Sequence, residues 1–592
     1  MKERNKMTSK STKNTNIVAD KVADKCEGKA EYLKTYERWL ASDIVSADTK
    51  EELKAIAGND DEIKNRFEKM MSFGTSGLRG LMRAGLNGMN VYTVRLATQG
   101  MANLILGSDK SEGEGVVIAH DSRNNSELFA KETAKVLAGN GITVYFFDAL
   151  RPTPELSYAI RELGTIAGVN ITASHNPKEY NGYKAYWADG TQLSPSHADV
   201  VSAEFEKIDI FDDVKLVDFD EAVSEGLIKI IGEDLDEKYL EQVCKQSVGK
   251  EFIEKSADSC TIVYTPFHGA GYKLVPEVLR RNGFRNIVLV DEQMVIDGDF
   301  PTVASPNPEN REGFALALEY ARKNDAELVI GTDPDSDRCG SAVRISDNGD
   351  YMILSGNQMG CLMLDYLITV KKEQGSLAEN AVAIKSIVTT TMANRICEAN
   401  GVHMEEVLTG FKFIGEKITE YEKTGEYSFL FGFEESIGFL AGSYARDKDA
   451  VVSAMLMAEL ACYYKSKGMT VYEGLQALYK KYGFFRETVI NTVFEGFSAQ
   501  EQMAGVMTRL RADKPQKIGL DIIGVTDYLD DIPGFTKSNV LFYKLSDGCA
   551  VAIRPSGTEP KVKTYIFAQG SSDEEAKANL ELVRSAVGEL LK

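Results

Sequence analysis

Short apolar runs alternate with amphipathic stretches over much of the chain. Gly115–His120 and Val144–Phe147 are apolar runs of strand length, and Ser126–Ala138 between them is amphipathic at helical spacing. The same alternation returns around Thr261–Tyr264 and Glu327–Ile330. Strands that alternate with helices indicate α/β layers with mainly parallel sheets. Such sheets bind their ligands at the carboxyl ends of the strands, so we expect functional loops there.

The length of the chain predicts more than one domain. A chain of 592 residues exceeds what a single hydrophobic core supports. Polar, acidic stretches at Val214–Asp236 and Ser346–Tyr351 are interpreted as linkers, and a third boundary is expected near Tyr482–Gly483. The segment after it combines strand-like runs such as Asn539–Lys544 with a helix that begins at about Ser572.

The composition is that of a globular protein in water. Hydrophobic residues make up 43% and charged residues 27% of the chain, and no apolar run reaches the roughly 18 residues of a membrane span. A net charge of −21 argues against binding to nucleic acid or to a membrane surface, because both are anionic. An anionic small substrate would need a locally basic pocket.

Cysteine and histidine usage favours a reduced, cytoplasmic protein without a zinc site. The eight cysteines include no CxxC pair, and the five histidines form no HExxH motif. The stretch Met1–Asn16 is polar and rich in lysine, which argues against a secretory signal. We expect this stretch to be a solvated tail.

Ser174 is the strongest candidate nucleophile. It lies in Thr172–Pro177, directly after the apolar run Ile166–Ile171. A serine hydroxyl at the end of a buried strand can accept and return a phosphoryl group, and the peptide N–H groups after it would bind an anion if they open a helix. The alternative interpretation, a helix N-cap, is the commoner role of a lone serine.

The loop Gly331–Arg338 carries three aspartates at alternate positions after a predicted strand. Carboxylates spaced in this way can converge on a hard cation such as Mg²⁺. An EF-hand loop that starts at Asp333 is excluded, because Arg338 stands where glycine is needed and Arg344 where the bidentate glutamate is needed. A solvated acidic turn is the alternative interpretation.

Two further loops offer groups that bind phosphate or sugar. Arg554–Lys561 contains a guanidinium, two hydroxyls and a glycine-centred turn whose N–H groups can surround a phosphate. Phe433–Ser436 presents two adjacent carboxylates that can accept hydrogen bonds from sugar hydroxyls. Each segment alone would also fit an ordinary surface loop.

Two glycine-containing segments are more ambiguous. Thr409–Lys417 resembles a P-loop, yet Glu416 occupies the position where nucleotide binding needs lysine. Phe73–Gly80 is either a flexible functional loop with one fixed positive charge, Arg79, or a mobile surface turn.

The loops of Ser174, Asp333, Glu434 and Arg554, in this order and at these separations, resemble the four signature loops of the α-D-phosphohexomutases. The match spans about residues 70 to 565 and is closest to the phosphoglucomutase branch of the family. The resemblance implies an α/β fold with four domains around a central cleft. Three would be α/β domains with mixed, mainly parallel sheets, and the last a smaller α+β domain. The expected domains are the tail with the phosphoserine domain at 1–228, the metal-binding domain at 229–346, the sugar-binding domain at 347–484 and the C-terminal phosphate-binding domain at 485–592.

The resemblance also implies a catalytic group. Ser174 would be the phosphorylated serine, with His175 beside it to orient it. Lys184 would be the candidate general acid and base. Further positive charge would come from Arg79 and Arg338. The ligands of Mg²⁺ would be Ser174, through its phosphate, Asp333, Asp335 and Asp337.

The remaining candidate residues would bind the substrate. The sugar hydroxyls and the phosphate that does not react would be bound by Glu434, Ser436, Thr409, Gly410, Arg554, Ser556, Gly557 and Thr558. His268 lies in a loop that also resembles one of the family, and no role is assigned to it.

The reaction that the resemblance implies is the interconversion of glucose 1-phosphate and glucose 6-phosphate. The phosphoserine would phosphorylate the free end of a hexose monophosphate. Glucose 1,6-bisphosphate, the intermediate and activator, would then turn end for end and return its other phosphate to Ser174. Because water that reached the phosphoserine would hydrolyse it, we expect a cleft that closes over the substrate. We expect sugar phosphates as the only partners, with no nucleic acid and no membrane, and a monomer or homodimer.

The sugar preference is less determined than the reaction. The N-terminal helical segment, which contains Trp39–Asp43 and Thr49–Glu52, resembles the one found in a subgroup of longer family members. This subgroup includes phosphopentomutases and a glucose-1,6-bisphosphate synthase. The pair Glu434–Glu435 is typical of members that prefer glucose, so glucose is favoured over a pentose or mannose. A non-catalytic phosphosugar-binding protein and a metal-dependent phosphatase are the alternatives outside the mutases.

Overall fold

The computed structural model describes residues 30–74, 77–109, 113–345, 349–494, 499–556 and 561–591. The predicted tail Met1–Asn16 and Cys26 lie outside these residues, and the seven described cysteines are free thiols. Four sheets follow one another along the chain. No helix within the described ranges is long and apolar enough to cross a membrane.

Three helices precede the first sheet. They are α1 (Glu31–Ala41), α2 (Ala47–Ala55) and α3 (Asp60–Phe67). Trp39 of α1 is fully buried and packs edge-on against Phe67, Tyr92 and Phe211, with ring centroids 5.6, 5.1 and 5.5 Å away. Because such edge-to-face contacts add to the burial of the rings, this segment belongs to the core of the first domain.

The first sheet has six strands. They are β1 (Leu78–Leu81), β2 (Val116–His120), β3 (Val144–Phe147), β4 (Ala167–Ile171), β5 (Tyr180–Trp187) and β6 (Ile228–Ile231). Its helices are α4 (Val91–Gly107), α5 (Ser126–Gly139), α6 (Thr153–Leu163), α7 (Pro195–Phe205) and α8 (Phe219–Ser224). The strand order is β1-β5-β4-β2-β3-β6, with β5 antiparallel to both neighbours and the pairs from β4 to β6 parallel.

The first sheet extends beyond the predicted boundary at residue 228. Val214–Asp236, predicted as a linker, contains α8 and β6, and β6 pairs with β3. Acidic residues on both sides conceal this short strand in the sequence, although its inward residue Ile228 is only 1% exposed.

The second sheet has five strands. They are β7 (Ile262–Thr265), β8 (Ile287–Leu289), β9 (Leu328–Thr332), β10 (Cys339–Arg344) and β11 (Tyr351–Ile353). The helices are α9 (Glu233–Cys244), α10 (Lys250–Ser256), α11 (Gly271–Arg281), α12 (Asp291–Met294) and α13 (Ala315–Lys323), with a 3₁₀ turn at Arg311–Phe314. The order is β11-β10-β9-β7-β8, with β10 antiparallel to both neighbours. Because β11 pairs with β10, this sheet includes residues beyond 346, where the second domain was expected to end.

The third sheet has four strands in the order β13-β12-β14-β15, where the strands are β12 (Ala381–Ser386), β13 (His403–Val407), β14 (Ser428–Glu434) and β15 (Gly438–Ala441). The helices are α14 (Gly356–Glu373), α15 (Met392–Asn400), α16 (Phe411–Thr424), α17 (Ala450–Ser466) and α18 (Val471–Tyr482). Residues Ala450–Tyr464 of α17 are all buried, as expected for a helix that is apolar on every face. This helix packs against α10 and α11, so the second and third domains share one core.

The fourth sheet is antiparallel, as expected for the α+β C-terminal domain. Its strands are β16 (Phe484–Val493), β17 (Lys517–Ile518), β18 (Leu520–Asp527), β19 (Leu541–Leu545), β20 (Ala550–Pro555) and β21 (Lys561–Gly570), in the order β16-β21-β20-β19-β18-β17. Its helices are α19 (Ala499–Asp513) and α20 (Asp573–Leu590), with a 3₁₀ turn at Ser546–Gly548. Ala552 and Tyr565 of its open face pack against Ile387 and Val388 of the third domain.

The predicted fold class is confirmed. The apolar runs predicted as strands are β2, β3, β7, β9 and β19, and the predicted helices are α5 and α20. Three mixed α/β domains are followed by a smaller α+β domain.

Candidate active site

Ser174 lies at the carboxyl end of β4, where the sequence places it. Its side chain is buried, and its Oγ lies 3.0 Å from Asp333 Oδ2 and 3.0 Å from His175 Nδ1. The described residues 172–179 form turns and no helix, so the N-cap interpretation of Ser174 is wrong, and no helix N-terminus supplies an anion site. Ser174 instead has a left-handed backbone, with φ +54°.

The three aspartates lie in the turn between β9 and β10 and are at most 2% exposed. Carboxylate oxygens, one from each of Asp333, Asp335 and Asp337, lie within 4.8 Å of one another. Asp333 Oδ1 accepts hydrogen bonds from the N–H groups of Asp337 (3.1 Å) and Arg338 (3.0 Å), which fixes the turn. The solvated-turn interpretation is therefore wrong, since these carboxylates are buried.

Two oxygens of this triad fit a bound cation. Asp335 Oδ1 and Asp337 Oδ1 are buried and accept no hydrogen bond from any described residue. A buried polar atom without a partner costs free energy, and hard divalent cations take such carboxylate oxygens as ligands. Asp333, Asp335 and Asp337 can therefore hold a metal ion.

The charges around the triad are uneven. Burial and the neighbouring Asp335 and Asp337 carboxylates raise the pKa of Asp333 well above its usual range. Burial acts in the same direction on Asp337, but the ammonium groups of Lys184 and Lys448 outweigh it and lower the pKa of Asp337. The pKa values of Asp333 and Asp337 are therefore shifted in opposite directions.

Lys184 lies on β5 and joins the first domain to the metal loop. Its Nζ donates to Asp335 Oδ2 (2.6 Å) and Asp337 Oδ2 (2.8 Å), and Thr153 Oγ1 donates to the same oxygen of Asp335 (2.6 Å). Burial opposes the charged form of Lys184, but the two carboxylates outweigh it and raise the pKa of Lys184. Lys184 is therefore an ammonium group in this arrangement.

Three other basic side chains predicted for the site surround Ser174. Burial, together with the charges of Arg338 and Arg79, lowers the pKa of His175 well below its usual range, so the imidazole is neutral. Arg79 Nη1 donates to Asn176 Oδ1 (3.3 Å) in the Ser174 loop. Arg338 is half-buried, and its Nε has no hydrogen-bond partner among the described residues.

The third domain brings Glu434, Thr409 and Gly410 together. Glu434 ends β14, and its Oε1 accepts a hydrogen bond from Gly410 N–H (2.7 Å). Burial raises the pKa of Glu434, although Lys448 opposes the shift. Thr409 Oγ1 is buried and has no partner within the described part of the chain. Ser436 follows in the half-buried turn between β14 and β15.

The fourth domain contributes the end of β20. Arg554 Nε is buried and has no hydrogen-bond partner in the described ranges, and Ser556 N–H donates to the carbonyl of Lys561 (2.8 Å). The other two residues predicted here, Gly557 and Thr558, lie outside the described residues. Arg554 is close enough to Glu435 of the third domain to oppose the rise in the pKa of Glu435.

Sequence reasoning missed two lysines. Lys448 Nζ lies 2.9 Å from Asp447 Oδ1 and 3.2 Å from Asp337 Oδ2, so the third domain also reaches the metal loop. Lys563 of β21 lies directly opposite Arg554 of β20. In the sequence, Lys448 could have been found as part of the charged run directly before the wholly apolar helix α17. Lys563 could have been found as a polar position that alternates with apolar residues along a strand. The four domains therefore meet at one cluster of charged side chains.

Family models describe all four domains. The phosphoglucomutase/phosphomannomutase α/β/α domains I, II and III match residues 70–211, 237–345 and 355–482, and the C-terminal domain of that family matches residues 507–585.

Curated relatives match over most of their length. A phosphoglucomutase of Staphylococcus saprophyticus is 35% identical over 568 residues, which are 93% of this chain and 98% of that protein. A phosphoglucomutase of Staphylococcus aureus is 36% identical over 521 residues, 86% of this chain and 91% of that protein.

Solved structures share the fold. The open form of parafusin, a phosphoglucomutase from Paramecium, superposes with a TM-score of 0.67 at 16% identity, over 88% of this chain and 95% of that one. A putative phosphomannomutase from Thermus thermophilus gives a TM-score of 0.64 at 22% identity, over 88% of this chain and 99% of that one. At these identities the likeness concerns the fold alone.

Proposed function

The chain belongs to the phosphoglucomutase/phosphomannomutase family, and from this premise we propose that it interconverts α-D-glucose 1-phosphate and glucose 6-phosphate. The observation that carries the proposal is the 3.0 Å contact between Ser174 Oγ and the buried aspartate triad. The relatives that are 35–36% identical are named phosphoglucomutases, which supports glucose as the sugar.

We propose Mg²⁺ as the metal, held by Asp333, Asp335 and Asp337 together with the phosphate on Ser174. The oxygens of Asp335 and Asp337 that accept no hydrogen bond from any described residue support this assignment. When bound, the cation would neutralise charge on the phosphoryl group and so lessen its repulsion of the attacking hydroxyl.

Two side chains of the protein would orient Ser174 and transfer the proton. In the forward step a sugar hydroxyl oxygen bonds to phosphorus as the bond from phosphorus to Ser174 Oγ breaks, and the hydroxyl proton ends on Oγ. Lys184, which is held as an ammonium group beside the triad, would donate one proton to the serine oxygen and recover one from the sugar hydroxyl, so that the net movement is the hydroxyl proton to Oγ; the reverse step runs the same exchange backwards. His175, a neutral imidazole 3.0 Å from Oγ, would fix the rotamer of Ser174.

The substrate would be bound by groups from the third and fourth domains. Glu434 and Ser436, with Thr409 and Gly410, would bind the sugar hydroxyls. The phosphate that is not reacting would be bound by Arg554, Ser556, Gly557 and Thr558, together with Lys563, which lies opposite Arg554. After the first transfer, glucose 1,6-bisphosphate would turn end for end, so that a single site serves both C1 and C6. We expect the protein to act in the cytoplasm, on sugar phosphates, as a monomer or homodimer.

An assay of three sugars tests this proposal. Purified protein with Mg²⁺ and a trace of glucose 1,6-bisphosphate is given glucose 1-phosphate, ribose 1-phosphate or mannose 1-phosphate. We expect glucose 6-phosphate to form fastest, with no release of inorganic phosphate. Faster turnover of ribose 1-phosphate or mannose 1-phosphate would show that a pentose or mannose, and not glucose, is the preferred sugar. Release of inorganic phosphate without isomerisation would indicate a phosphatase.

Ser174→Ala is the matched variant for this assay. It removes the hydroxyl that carries the phosphoryl group and leaves the metal ligands in place, so we expect at least a 1,000-fold loss of kcat with an unchanged circular dichroism spectrum. Turnover within tenfold of the wild-type protein would exclude the phosphoserine mechanism.

A further inference from the structure

Arg123 binds the main chain of the loop that carries Ser174. It lies three residues after β2, and its guanidinium donates to the carbonyl oxygens of Ser174, Asn176, Pro177 and Tyr180. Four acceptors from one loop therefore converge on one side chain. A guanidinium has five N–H donors in a fixed plane, so it can hold several carbonyls at set angles, as a lysine ammonium group cannot.

Asp121 connects the same guanidinium to the other side of Ser174. Asp121 Oδ2 lies 3.2 Å from Arg123 Nε, and both side chains are fully buried. The same oxygen accepts a hydrogen bond from Thr172 Oγ1 (2.6 Å), which in turn accepts one from Ser174 N–H (2.8 Å). One buried ion pair therefore fixes both peptide groups that flank Ser174.

The second domain covers the remaining face of the guanidinium. The ring centroid of Phe300 lies 5.2 Å from Arg123 Cζ, and Phe300 is 3% exposed. A cation over an aromatic face is attracted to the ring, and burial strengthens that attraction. Arg123 is thus held between the Ser174 loop of the first domain and the second domain, which contributes the metal ligands.

The backbone of Ser174 needs such support. Its φ of +54° is a left-handed conformation that costs free energy for a residue with a Cβ and persists only where the surroundings hold it. This conformation directs Oγ at Asp333. Arg123 holds the carbonyl of Ser174 directly, and Asp121 holds its N–H through Thr172 Oγ1, so the peptide groups whose orientation defines this φ are both fixed.

We propose that Arg123 is a positioning residue for phosphoryl transfer, an inference that rests on the proposed function. It touches no reacting atom, but it holds the Ser174 loop so that the phosphoryl group stays in line with the attacking sugar oxygen. Alignment of this kind is sensitive to displacements of about 1 Å.

Two steps compete for the phosphoserine. In transfer, the sugar oxygen bonds to phosphorus, the bond to Ser174 Oγ breaks, and the hydroxyl proton ends on Oγ. In hydrolysis, a water oxygen makes the new bond instead, one water proton ends on Oγ, and inorganic phosphate leaves. A loosened loop should slow transfer more than hydrolysis, because the sugar hydroxyl has one bound position whereas water can approach from several.

Arg123→Lys tests this role because it keeps the charge and removes the planar set of donors. With Mg²⁺, glucose 1,6-bisphosphate and the full chain, we expect kcat to fall about 100-fold and KM to change less than threefold. We expect the inorganic phosphate released per glucose 6-phosphate formed to rise at least tenfold. Intact-protein mass spectrometry would report the phosphate on Ser174.

Two further variants separate positioning from folding. Arg66→Lys alters a half-buried guanidinium that pairs with Glu62 and Glu52 in the N-terminal segment, and it should lower the melting temperature without changing the phosphate ratio. Asp121→Asn preserves shape and removes the charge that pairs with Arg123, and it should raise the phosphate ratio as Arg123→Lys does. This second variant keeps the test decisive if Arg123→Lys does not fold.

The outcomes are distinguishable. A wild-type phosphate ratio in the folded variants overturns the inference even if kcat and melting temperature both fall, since that pattern means a purely structural role. If the wild-type protein takes up no phosphate on Ser174 from glucose 1,6-bisphosphate, the proposed function fails and the inference fails with it.

Discussion

Among single residues, Glu435 shows how burial changes a carboxyl group outside the metal loop. Its Oε2 accepts hydrogen bonds from Ser386 Oγ (3.3 Å) and Thr389 Oγ1 (3.2 Å), so the side chain points into the third domain. Burial and the adjacent Glu434 carboxylate raise the pKa of Glu435 to about 7. Adjacent glutamates in one loop thus have different surroundings, which the sequence alone does not reveal.

The raised pKa of Glu435 predicts a pH-dependent stability. The folded state binds the proton of the Glu435 carboxyl group more tightly than the unfolded chain, in which the pKa of this group is near 4.5. The free energy of unfolding therefore falls as pH rises from about 4.5 to about 7. Glu435→Gln should remove this contribution, which is of order 1–3 kcal/mol. We expect a smaller drop in melting temperature between pH 5 and pH 8 than in the wild-type protein.

The exposed residue Glu426 provides the control for this measurement. Glu426→Gln should leave the pH profile of the melting temperature unchanged. Identical profiles for Glu435→Gln and the wild-type protein would mean that Glu435 titrates as an ordinary exposed carboxyl group.

At the scale of elements, the pairing of β1 with β5 places Arg79 beside the Ser174 loop. In this register Leu78 is opposite Tyr183 and Arg79 opposite Gly182. Gly77, which precedes β1, has φ +75°, and a Cβ there would lie 1.7 Å from the carbonyl oxygen of Tyr183. A side chain at Gly77 would therefore push the two strands apart.

Gly77→Ala should damage both stability and catalysis. The left-handed backbone and the clash with a main-chain atom together should cost about 3 kcal/mol or more, and the displaced strand should misplace Arg79. Thermal melting and kcat/KM measure the two effects. Gly107→Ala, where an added Cβ would lie more than 4 Å from every described atom outside the neighbouring residues and the helix's own backbone, is the matched control and should change stability by less than about 0.5 kcal/mol. Equal behaviour of the two variants would contradict the assigned register.

At the scale of the whole molecule, the metal loop is the point where three domains touch. Asp335 contacts Thr153 and Lys184 of the first domain, and Asp337 contacts Lys448 of the third. A cation bound to the triad would therefore stabilise contacts between domains as well as the second domain itself. Its removal should be visible in thermal unfolding.

Mg²⁺ should raise the melting temperature in a concentration-dependent way. Binding to the folded state alone contributes about 2.7 kcal/mol at a free concentration 100 times the dissociation constant. Asp335→Asn should abolish most of this dependence, and chelation of the metal should reverse it. Asp212→Asn, at an exposed carboxylate remote from the triad, should respond to Mg²⁺ as the wild-type protein does. A melting temperature that does not change with the Mg²⁺ concentration would contradict a metal site at the triad.

The predictions from sequence were most reliable where the pattern is local. The alternation of apolar runs identified β2, β3, β7 and β9, because strand and helix periods are properties of short segments. β6 and β11 extend their sheets past the boundaries expected at residues 228 and 346, because they are short strands among polar residues that only pairing with β3 and β10 reveals.

The sequence by itself determined which loops hold the chemistry, since Ser174 and the three aspartates follow apolar strands in short, recognisable segments. Only the tertiary structure decided that Ser174 Oγ meets Asp333, 159 positions along the chain, and that Lys448 and Arg123 join them. The physical reason is that contacts between distant segments depend on strand order and domain packing, which no local spacing of residues encodes.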